Sequence, residues 1–148
     1  MTAIGGSTVS SAQLIDARGP RFSAAITTVV LAAALVSSNI WVIAFQAVVF
    51  AIGALRGPQF TPYAFVFRKL IKPKLNSAPI FEDVRPPRFA QGVGLGFALV
   101  ATIGAATGVS EVFTVAVSFA LAAAFLNAAF NFCLGCQVYL LLVRAASK

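Results

Sequence analysis

The chain contains two cysteines, Cys133 and Cys136, which form a CxxC pair in the nearly apolar segment AAFNFCLGCQVY, residues 128–139. Residues three apart on a helix lie on one face, so the two sulfurs can approach within disulfide distance. Such a pair can cycle between dithiol and disulfide, carry a persulfide, bind a metal or accept a fatty acyl chain. It can equally be two small side chains that fill a packed interface.

The metal interpretation lacks ligands. Structural zinc usually takes four ligands, and the chain contains no histidine. A metal held by Cys133 and Cys136 would need a second chain, so we predict neither a metal site nor a cofactor. Thiol redox or sulfur transfer, and inert packing, remain the two main interpretations.

The reactivity of the cysteines depends on where a helix ends. If the last apolar helix continues past Cys136, both thiols lie in its apolar C-terminal half, where their pKa rises. If the helix breaks near Asn131, Cys133 begins a new helix whose dipole stabilises the thiolate. A similarity between two segments favours the break. When YAFVFR (63–68) is aligned with YLLLVR (139–144), the CxxC lies opposite GPQF, residues 57–60, whose Gly-Pro pair tends to break a helix.

Three amides are predicted to lie near the cysteines. Asn127 and Asn131 are four apart and share a helix face. At 1.5 Å per residue, Asn127 lies about 24 Å along its helix from Glu111. Gln91 lies just inside the same end of the preceding helix. We therefore predict a pocket formed by Gln91, Asn127 and Asn131, with ordinary interhelical hydrogen bonding as the alternative.

The elements that must position these residues are apolar helices. The chain of 148 residues is 59% apolar and only 10% charged, with a mean hydropathy of +0.92, whereas soluble domains are about 25% charged. Four apolar runs lack the period-two alternation of strands. We predict an all-α polytopic membrane protein with four transmembrane helices, at Phe22–Ser37, Ile40–Leu55, Phe89–Gly108 and Val112 to about Phe132. The few polar residues inside these runs, such as Gln46 and Ser118, should face the bundle interior.

The basic residues predict the orientation. All eleven Lys and Arg residues lie before the first run, between the second and third runs, or after the fourth run. Cytoplasmic loops carry an excess of basic residues. Both termini and the central loop, residues 57–88, should therefore lie in the cytoplasm, with the protein in the plasma membrane. The polar N-terminal segment does not resemble a cleavable signal peptide.

A motif occurs twice. DARGPRF at 16–22 and DVRPPRF at 83–89 share the pattern D-x-R-x-P-R-F, and each immediately precedes an apolar run. We interpret the chain as a polar tail (1–14) followed by two parallel repeats (15–75 and 82–148), each containing a helical hairpin. Pro is well tolerated in the first turn of a helix, and the Asp can pair with an Arg of its own or the other copy.

The basic side chains next to the runs are predicted to contact the bilayer or a partner. Arg binds phosphate bidentately, and basic segments beside membrane helices bind anionic headgroups. This interpretation covers Arg18, Arg21, Arg68, Lys69, Lys72, Arg85 and Arg88. Nucleic acid is not predicted as a partner.

Glycines in the third run are predicted to serve helix packing. GVGLGF lacks the spacing and the strand–helix context of a dinucleotide-binding loop. The pairs Gly92/Gly96 and Gly104/Gly108 instead have the small-xxx-small spacing that lets helices approach closely.

The segments IDARGPRF, PPRFAQGVG and AAFLNAAFNFCLGC resemble small bacterial membrane proteins catalogued as domain of unknown function 4395, from about Ile15 onward. The matching positions are Arg88, Phe89, Gln91, Gly92, Asn127, Cys133, Gly135 and Cys136. The resemblance implies a bacterial membrane protein and a connection to thioredoxin-like or sulfurtransferase partners. We therefore expect a thiol-redox or sulfur-transfer partner with a cytoplasmic CxxC. A non-catalytic scaffold or assembly factor with a basic docking loop is the alternative, and a homo-oligomer is compatible with either.

Overall fold

The computed structural model describes residues 14–76, 78 and 80–147. Of the predicted polar tail, residues 1–13 lie outside the described residues. A short helix (Pro62–Val66) follows a 3₁₀ turn (Pro58–Phe60) and precedes a π-helical turn (Phe67–Ile71) and a second 3₁₀ turn (Lys72–Lys74). The other elements are two short strands and five longer helices. In chain order, the strands and α-helices are β1 Leu14–Asp16, α1 Arg18–Ser37, α2 Ile40–Leu55, α3 Pro62–Val66, β2 Phe81–Asp83, α4 Arg85–Thr107, α5 Ser110–Phe130 and α6 Leu134–Ala146.

Three helices, α1, α4 and α5, are long and apolar enough to cross a membrane, with 20, 23 and 21 residues. This confirms an all-α chain with membrane-spanning character. Helix α2 has 16 residues, or about 24 Å at 1.5 Å per residue, against a hydrocarbon core of about 30 Å. The fourth predicted span therefore stays a prediction. Helix α1 is longer than the apolar run because the D-x-R-x-P-R-F motif forms its first turn.

Both copies of the motif begin a helix in the same way. Asp16 Oδ1 accepts hydrogen bonds from the backbone N–H and from Nε of Arg18 at 3.1 and 3.0 Å. Asp83 Oδ1 does the same for Arg85, at 2.9 and 3.1 Å. The carboxylate thus bonds a helix N–H group that lacks an intrahelical acceptor and also fixes the following guanidinium. Each Asp pairs with the Arg of its own copy.

The two motif copies are joined by a small sheet. Strands β1 and β2 pair antiparallel, with Leu14 opposite Asp83, Ile15 opposite Glu82 and Asp16 opposite Phe81. The Ala17 N–H also donates to the Ile80 carbonyl at 2.6 Å. The N-terminal ends of α1 and α4 are therefore held side by side, although 67 positions separate the two motifs in the sequence.

The helices pack mainly across the chain rather than within sequential hairpins. Helix α1 packs most extensively against α5, and α2 packs most extensively against α4. Leu31, Ile43 and Val117 are fully buried where these pairs meet. Large apolar side chains cover the outside, and Val36 and Trp41 are 88% and 79% exposed. An apolar exterior of this kind fits a lipid environment.

Polar side chains in the helices follow the prediction only in part. Gln46 is completely buried, and its Oε1 accepts a hydrogen bond from the Tyr63 hydroxyl at 2.7 Å. Thr28 and Thr102 bond to carbonyls of their own helices at 2.7 Å. Ser118, however, is exposed, so its predicted interior position is wrong. A single hydroxyl can lie on an outer helix face because it can bond to the carbonyl four residues earlier.

The predicted glycine pairs are also only partly right. A Cβ on Gly94 would lie 2.7 Å from the Phe50 ring, and a Cβ on Gly104 would lie 2.9 Å from the Phe113 nitrogen. These two positions require close helix approach. A Cβ on Gly96 would meet nothing within 4 Å. Gly108 ends α4 with φ of 79°, in the left-handed region that glycine favours. The four-residue spacing was correct for neither pair, because a Cβ on Gly92 would make only an ordinary contact with Ala54 at 3.8 Å, and Gly96 and Gly108 face open space.

Candidate functional site

The last apolar stretch is broken next to the cysteines. Helix α5 ends at Phe130, and Asn131 adopts a left-handed conformation with φ of 54°. The Asn131 N–H donates to the Asn127 carbonyl at 3.1 Å, and the Phe132 N–H donates to the Leu126 carbonyl at 3.2 Å. Asparagine tolerates this conformation better than most residues. The break favoured by the sequence comparison is therefore present, and a new helix, α6, begins at Leu134.

Cys133 is the N-cap of α6. Its backbone is extended, and its Sγ accepts a hydrogen bond from the Cys136 backbone N–H at 3.1 Å. Cys133 and Cys136 are joined by a disulfide, with their Cα atoms 5.1 Å apart. Both residues are half-buried. The sulfur of Cys133 thus occupies the position at which a Ser or Asp oxygen usually caps a helix.

The start of α6 favours a negative charge on that sulfur. Helix α6 has 13 residues, no acidic residue in its first turn and Arg144 in its last turn. The partial positive charge at a helix N-terminus stabilises an anion placed there, including a cysteine thiolate. When the disulfide is reduced, Cys133 is therefore the cysteine whose thiolate the backbone stabilises directly.

An arginine from the first motif copy supports the broken end of α5. Arg21 Nε donates a hydrogen bond to the Ala128 carbonyl at 3.1 Å. The break removes the next turn of helix, which would otherwise supply donors to the last carbonyls of α5. Arg88, the equivalent residue of the second motif copy, donates to the Ala54 and Leu55 carbonyls at the end of α2, both at 2.7 Å. Sequence reasoning missed these bonds, because no local signal links residues so far apart.

The tertiary structure also gives a second way to match the two segments, besides the alignment that placed the CxxC opposite Gly57–Phe60. Thr61 takes the position after α2 that Cys133 takes after α5, and it caps α3 by accepting from the Ala64 N–H at 3.2 Å. Six residues after these caps, Phe67 packs on Phe22, and Tyr139 packs on Phe89, with ring centroids 5.7 and 5.5 Å apart. Matching these caps and ring contacts differs by about one helical turn from aligning Tyr63 with Tyr139, and the repeat stays a prediction.

The predicted amide pocket is brought together only loosely. The Gln91 side chain lies against Gly53 of α2, where an added Cβ would collide with it. In the first turn of α6, Gly135 packs against Ala90, so the CxxC helix does contact α4 beside Gln91. Asn127 is half-buried and Asn131 is exposed. In the described part of the chain, no side-chain hydrogen bond joins these three amides. The pocket stays a prediction.

The predicted basic contact residues have several partners within the chain. Lys72 Nζ lies 3.6 Å from Asp16, which also binds Arg18. Arg68 donates to the Gln59 carbonyl. Lys69 lies over the Phe65 ring at 5.9 Å. The pKa of Asp16 is lowered, mainly by its hydrogen bond with Arg18, and Arg85 lowers the pKa of Asp83 in the same way.

Comparison with known proteins identifies a family but no characterised relative. No curated protein and no solved structure matches the chain. The family model described as Domain of unknown function (DUF4395) matches residues 15–144, a range that includes both motif copies and the CxxC. This chain therefore belongs to the DUF4395 family.

Proposed function

We propose that the protein is a membrane-bound dithiol–disulfide exchange partner and that Cys133 and Cys136 are its redox pair. The observation that carries the proposal is the helix cap: the Cys133 sulfur accepts the Cys136 N–H at the beginning of α6. A structural cysteine in an unbroken apolar helix would lack this stabilisation of its thiolate. The disulfide between the two cysteines supports their pairing.

The proposed reaction transfers two electrons. In the reduced protein, the Cys133 thiolate attacks a disulfide of a thioredoxin-like partner and forms a mixed disulfide, and one partner sulfur leaves as a thiolate. The Cys136 thiol then loses its proton and attacks Cys133 Sγ. The second partner sulfur leaves, the two partner thiolates take up protons, and the Cys133–Cys136 disulfide has formed. The reverse sequence oxidises a partner dithiol.

We further propose that the chain crosses the plasma membrane four times, with both termini and residues 57–88 in the cytoplasm. The basic residues support this orientation through the positive-inside bias. The symmetry of the small sheet supports two repeats, 15–75 and 82–148. The pairing of β1 with β2 is symmetric about the central Ile15–Glu82 pair, because each motif Asp lies opposite the residue two positions before the other motif Asp. The reciprocal bonds of Arg21 and Arg88 to the ends of α5 and α2 follow the same symmetry.

The cytoplasmic location makes the redox proposal more specific. Standing disulfides are rare in the cytoplasm, and those that form there are usually transient and catalytic or redox-sensing. The Cys133–Cys136 disulfide is therefore expected to be one state of a cycle rather than a permanent structural bond. The partner is expected to be a cytoplasmic protein with its own reactive dithiol.

The test is thiol labelling in membrane vesicles of known orientation. A membrane-impermeant maleimide should modify the wild-type protein only in inverted vesicles and only after reduction. A Cys136→Ser variant should retain a trapped mixed disulfide, since the resolving thiol is absent, whereas Cys133→Ser should trap none. Mass spectrometry of the trapped species identifies the partner.

Two outcomes would contradict the proposal. If no labelling differs between oxidised and reduced vesicles, Cys133 and Cys136 do not cycle, and the scaffold alternative with a basic docking loop is favoured. If labelling occurs only in right-side-out vesicles, the proposed orientation is wrong while the dithiol chemistry stands.

A further inference from the structure

An open groove lies where the end of α2, the beginning of α4 and the first half of α6 meet. Its volume is about 530 Å³. Two arginines and a tyrosine line it, and its remaining surface is apolar. The lining residues are Ala54, Arg85, Arg88, Phe89, Gly92, Val93 and Tyr139. The groove therefore combines positive charge with an apolar wall at one end of a membrane-spanning helix.

The two guanidinium groups are held in place but keep donors for a ligand. Arg85 uses Nε and Nη2 to bind Asp83, and Arg88 uses Nε and Nη2 to bind the Ala54 and Leu55 carbonyls. Among the described residues, neither Nη1 donates to a protein acceptor. A fixed guanidinium loses little conformational entropy when it binds an oxyanion, and Arg donors match the geometry of phosphate.

The apolar wall extends along α4 away from these arginines. Val93 lies five residues after Arg88, or about 7.5 Å further along the helix axis. It is 38% exposed, and Gly92 presents no side chain between it and Phe89. The depth from Arg88 to Val93 suits a ligand with an anionic end at the membrane surface and a hydrocarbon part below it.

We propose that this groove binds one anionic phospholipid, with the phosphodiester between Arg85 and Arg88 and an acyl chain along Phe89, Gly92 and Val93. The Asp83 carboxylate offsets one of the two positive charges, which favours a ligand with a single negative charge. Tyr139 places a hydroxyl-bearing ring on Phe89 at the headgroup end. This site is independent of the thiol chemistry proposed above.

The experiment is native mass spectrometry of the full chain, released from detergent after incubation with phosphatidylglycerol or phosphatidylcholine. Wild-type protein should retain one phosphatidylglycerol in preference to phosphatidylcholine. Arg85→Gln should reduce the retained fraction about tenfold, which equals ~1.4 kcal/mol. Val93→Trp fills the space beside the apolar wall without changing charge, so it should also reduce the retained fraction of phosphatidylglycerol. Lys74→Gln, an exposed basic residue outside the groove, is the matched control.

Each alternative has a distinct result. Equal losses for Lys74→Gln and Arg85→Gln would overturn the site, because binding would then follow net charge alone. Unchanged retention in Val93→Trp would overturn the acyl-chain position. Complete displacement by millimolar inorganic phosphate would identify a free-phosphate site instead of a lipid site. Circular dichroism of each variant checks that the helices remain folded.

Discussion

The ends of α2 and α5 are two versions of one junction. At each end an arginine from a distant motif copy bonds the last helix carbonyls, and a short capped helix follows. In the first junction the cap is the hydroxyl of Thr61, which is 3% exposed. In the second it is the sulfur of Cys133, which is half-buried. A hydroxyl oxygen only caps a helix, whereas a thiolate in the same position is also a nucleophile.

The two junctions also differ in how firmly they are anchored. Helix α3 is held by Tyr63, whose hydroxyl bonds Gln46 in the bundle core, and by the contact of Phe67 with Phe22. Helix α6 packs Tyr139 on Phe89 and Gly135 on Ala90, but it has no fully buried residue. The first junction is therefore anchored in the bundle core, and in the proposed function the second junction presents the reactive thiol.

The largest expected effect is the loss of thiol exchange when the cap of the second junction, but not that of the first, is replaced. Cys133→Ser should abolish thiol exchange completely while preserving the cap of α6, because serine is a good N-cap. Thr61→Ser, the matched change in the first junction, should leave exchange unchanged. Both variants are measured by the rate of mixed-disulfide formation with a small aromatic disulfide. If Cys133→Ser still exchanged at the wild-type rate, Cys136 would be the attacking residue.

Removal of the arginine caps should destabilise both junctions. Arg88→Gln loses two bonds to carbonyls and Arg21→Gln loses one, and a hydrogen bond from a charged group contributes about 1.5–3 kcal/mol before screening at an exposed site. We expect losses of about 2 kcal/mol for Arg88→Gln and about 1 kcal/mol for Arg21→Gln. Reversible unfolding in mixed micelles measures both.

The two arginine variants should also differ in their effect on the thiols. Arg21→Gln should slow Cys133 exchange because it frays the end of α5, whereas Arg88→Gln should destabilise the protein without that effect. Equal effects of the two variants on the exchange rate would contradict the assignment of Arg21 to the cysteine junction. Lys74→Gln serves again as the exposed control.

The buried Gln46–Tyr63 pair tests the anchoring of the first junction. Gln46→Leu leaves the Tyr63 hydroxyl without its acceptor, and a buried unsatisfied group costs about 1–3 kcal/mol. Tyr63→Phe should lower the free energy of unfolding by less. It removes the donor to Gln46 Oε1, and Gln46 Nε2 already lacks a partner among the described residues. The double variant Gln46→Leu/Tyr63→Phe should recover most of the loss. Additive losses in this cycle would show that the hydrogen bond does not couple the two residues.

The smallest expected effect is a dependence on acid pH. Arg18 lowers the pKa of Asp16, and Arg85 lowers the pKa of Asp83, below the ordinary value of 3.8. Each pair therefore contributes its full stabilisation above pH 3.8, and the contribution is lost as the pH falls through the lowered pKa. Burial raises the pKa of Glu82, which lies in the small sheet next to Asp83. Protonation of Glu82 as the pH falls therefore favours the folded state, opposite to the effect of the two Asp residues.

Thermal unfolding at several acid pH values tests this dependence. Asp16→Asn and Asp83→Asn should each flatten the loss of stability at low pH. An unaltered profile in the double Asp variant would show that these ion pairs do not stabilise the fold.

Sequence reasoning predicted the helices well because their signal is local. The run Ile40–Leu55 matches α2 at both ends, and the other runs differ from their helices by a few residues. The packing errors have one physical origin: a spacing identifies residues on the same face but not which face meets another helix. This explains why Gly94 rather than Gly96 packs closely, and why Ser118 is exposed.

The sequence by itself determined the apolar helices, their ends, the duplicated motif and the CxxC spacing, because composition, capping residues and short-range periodicity act within a few residues. Only the tertiary structure decided that Arg21 and Arg88 bond the helix ends of α5 and α2, and that Gly135 of the CxxC helix packs on Ala90 of α4. These features require segments far apart in the chain to meet. They depend on how long helices pack against one another, and no local pattern encodes that arrangement.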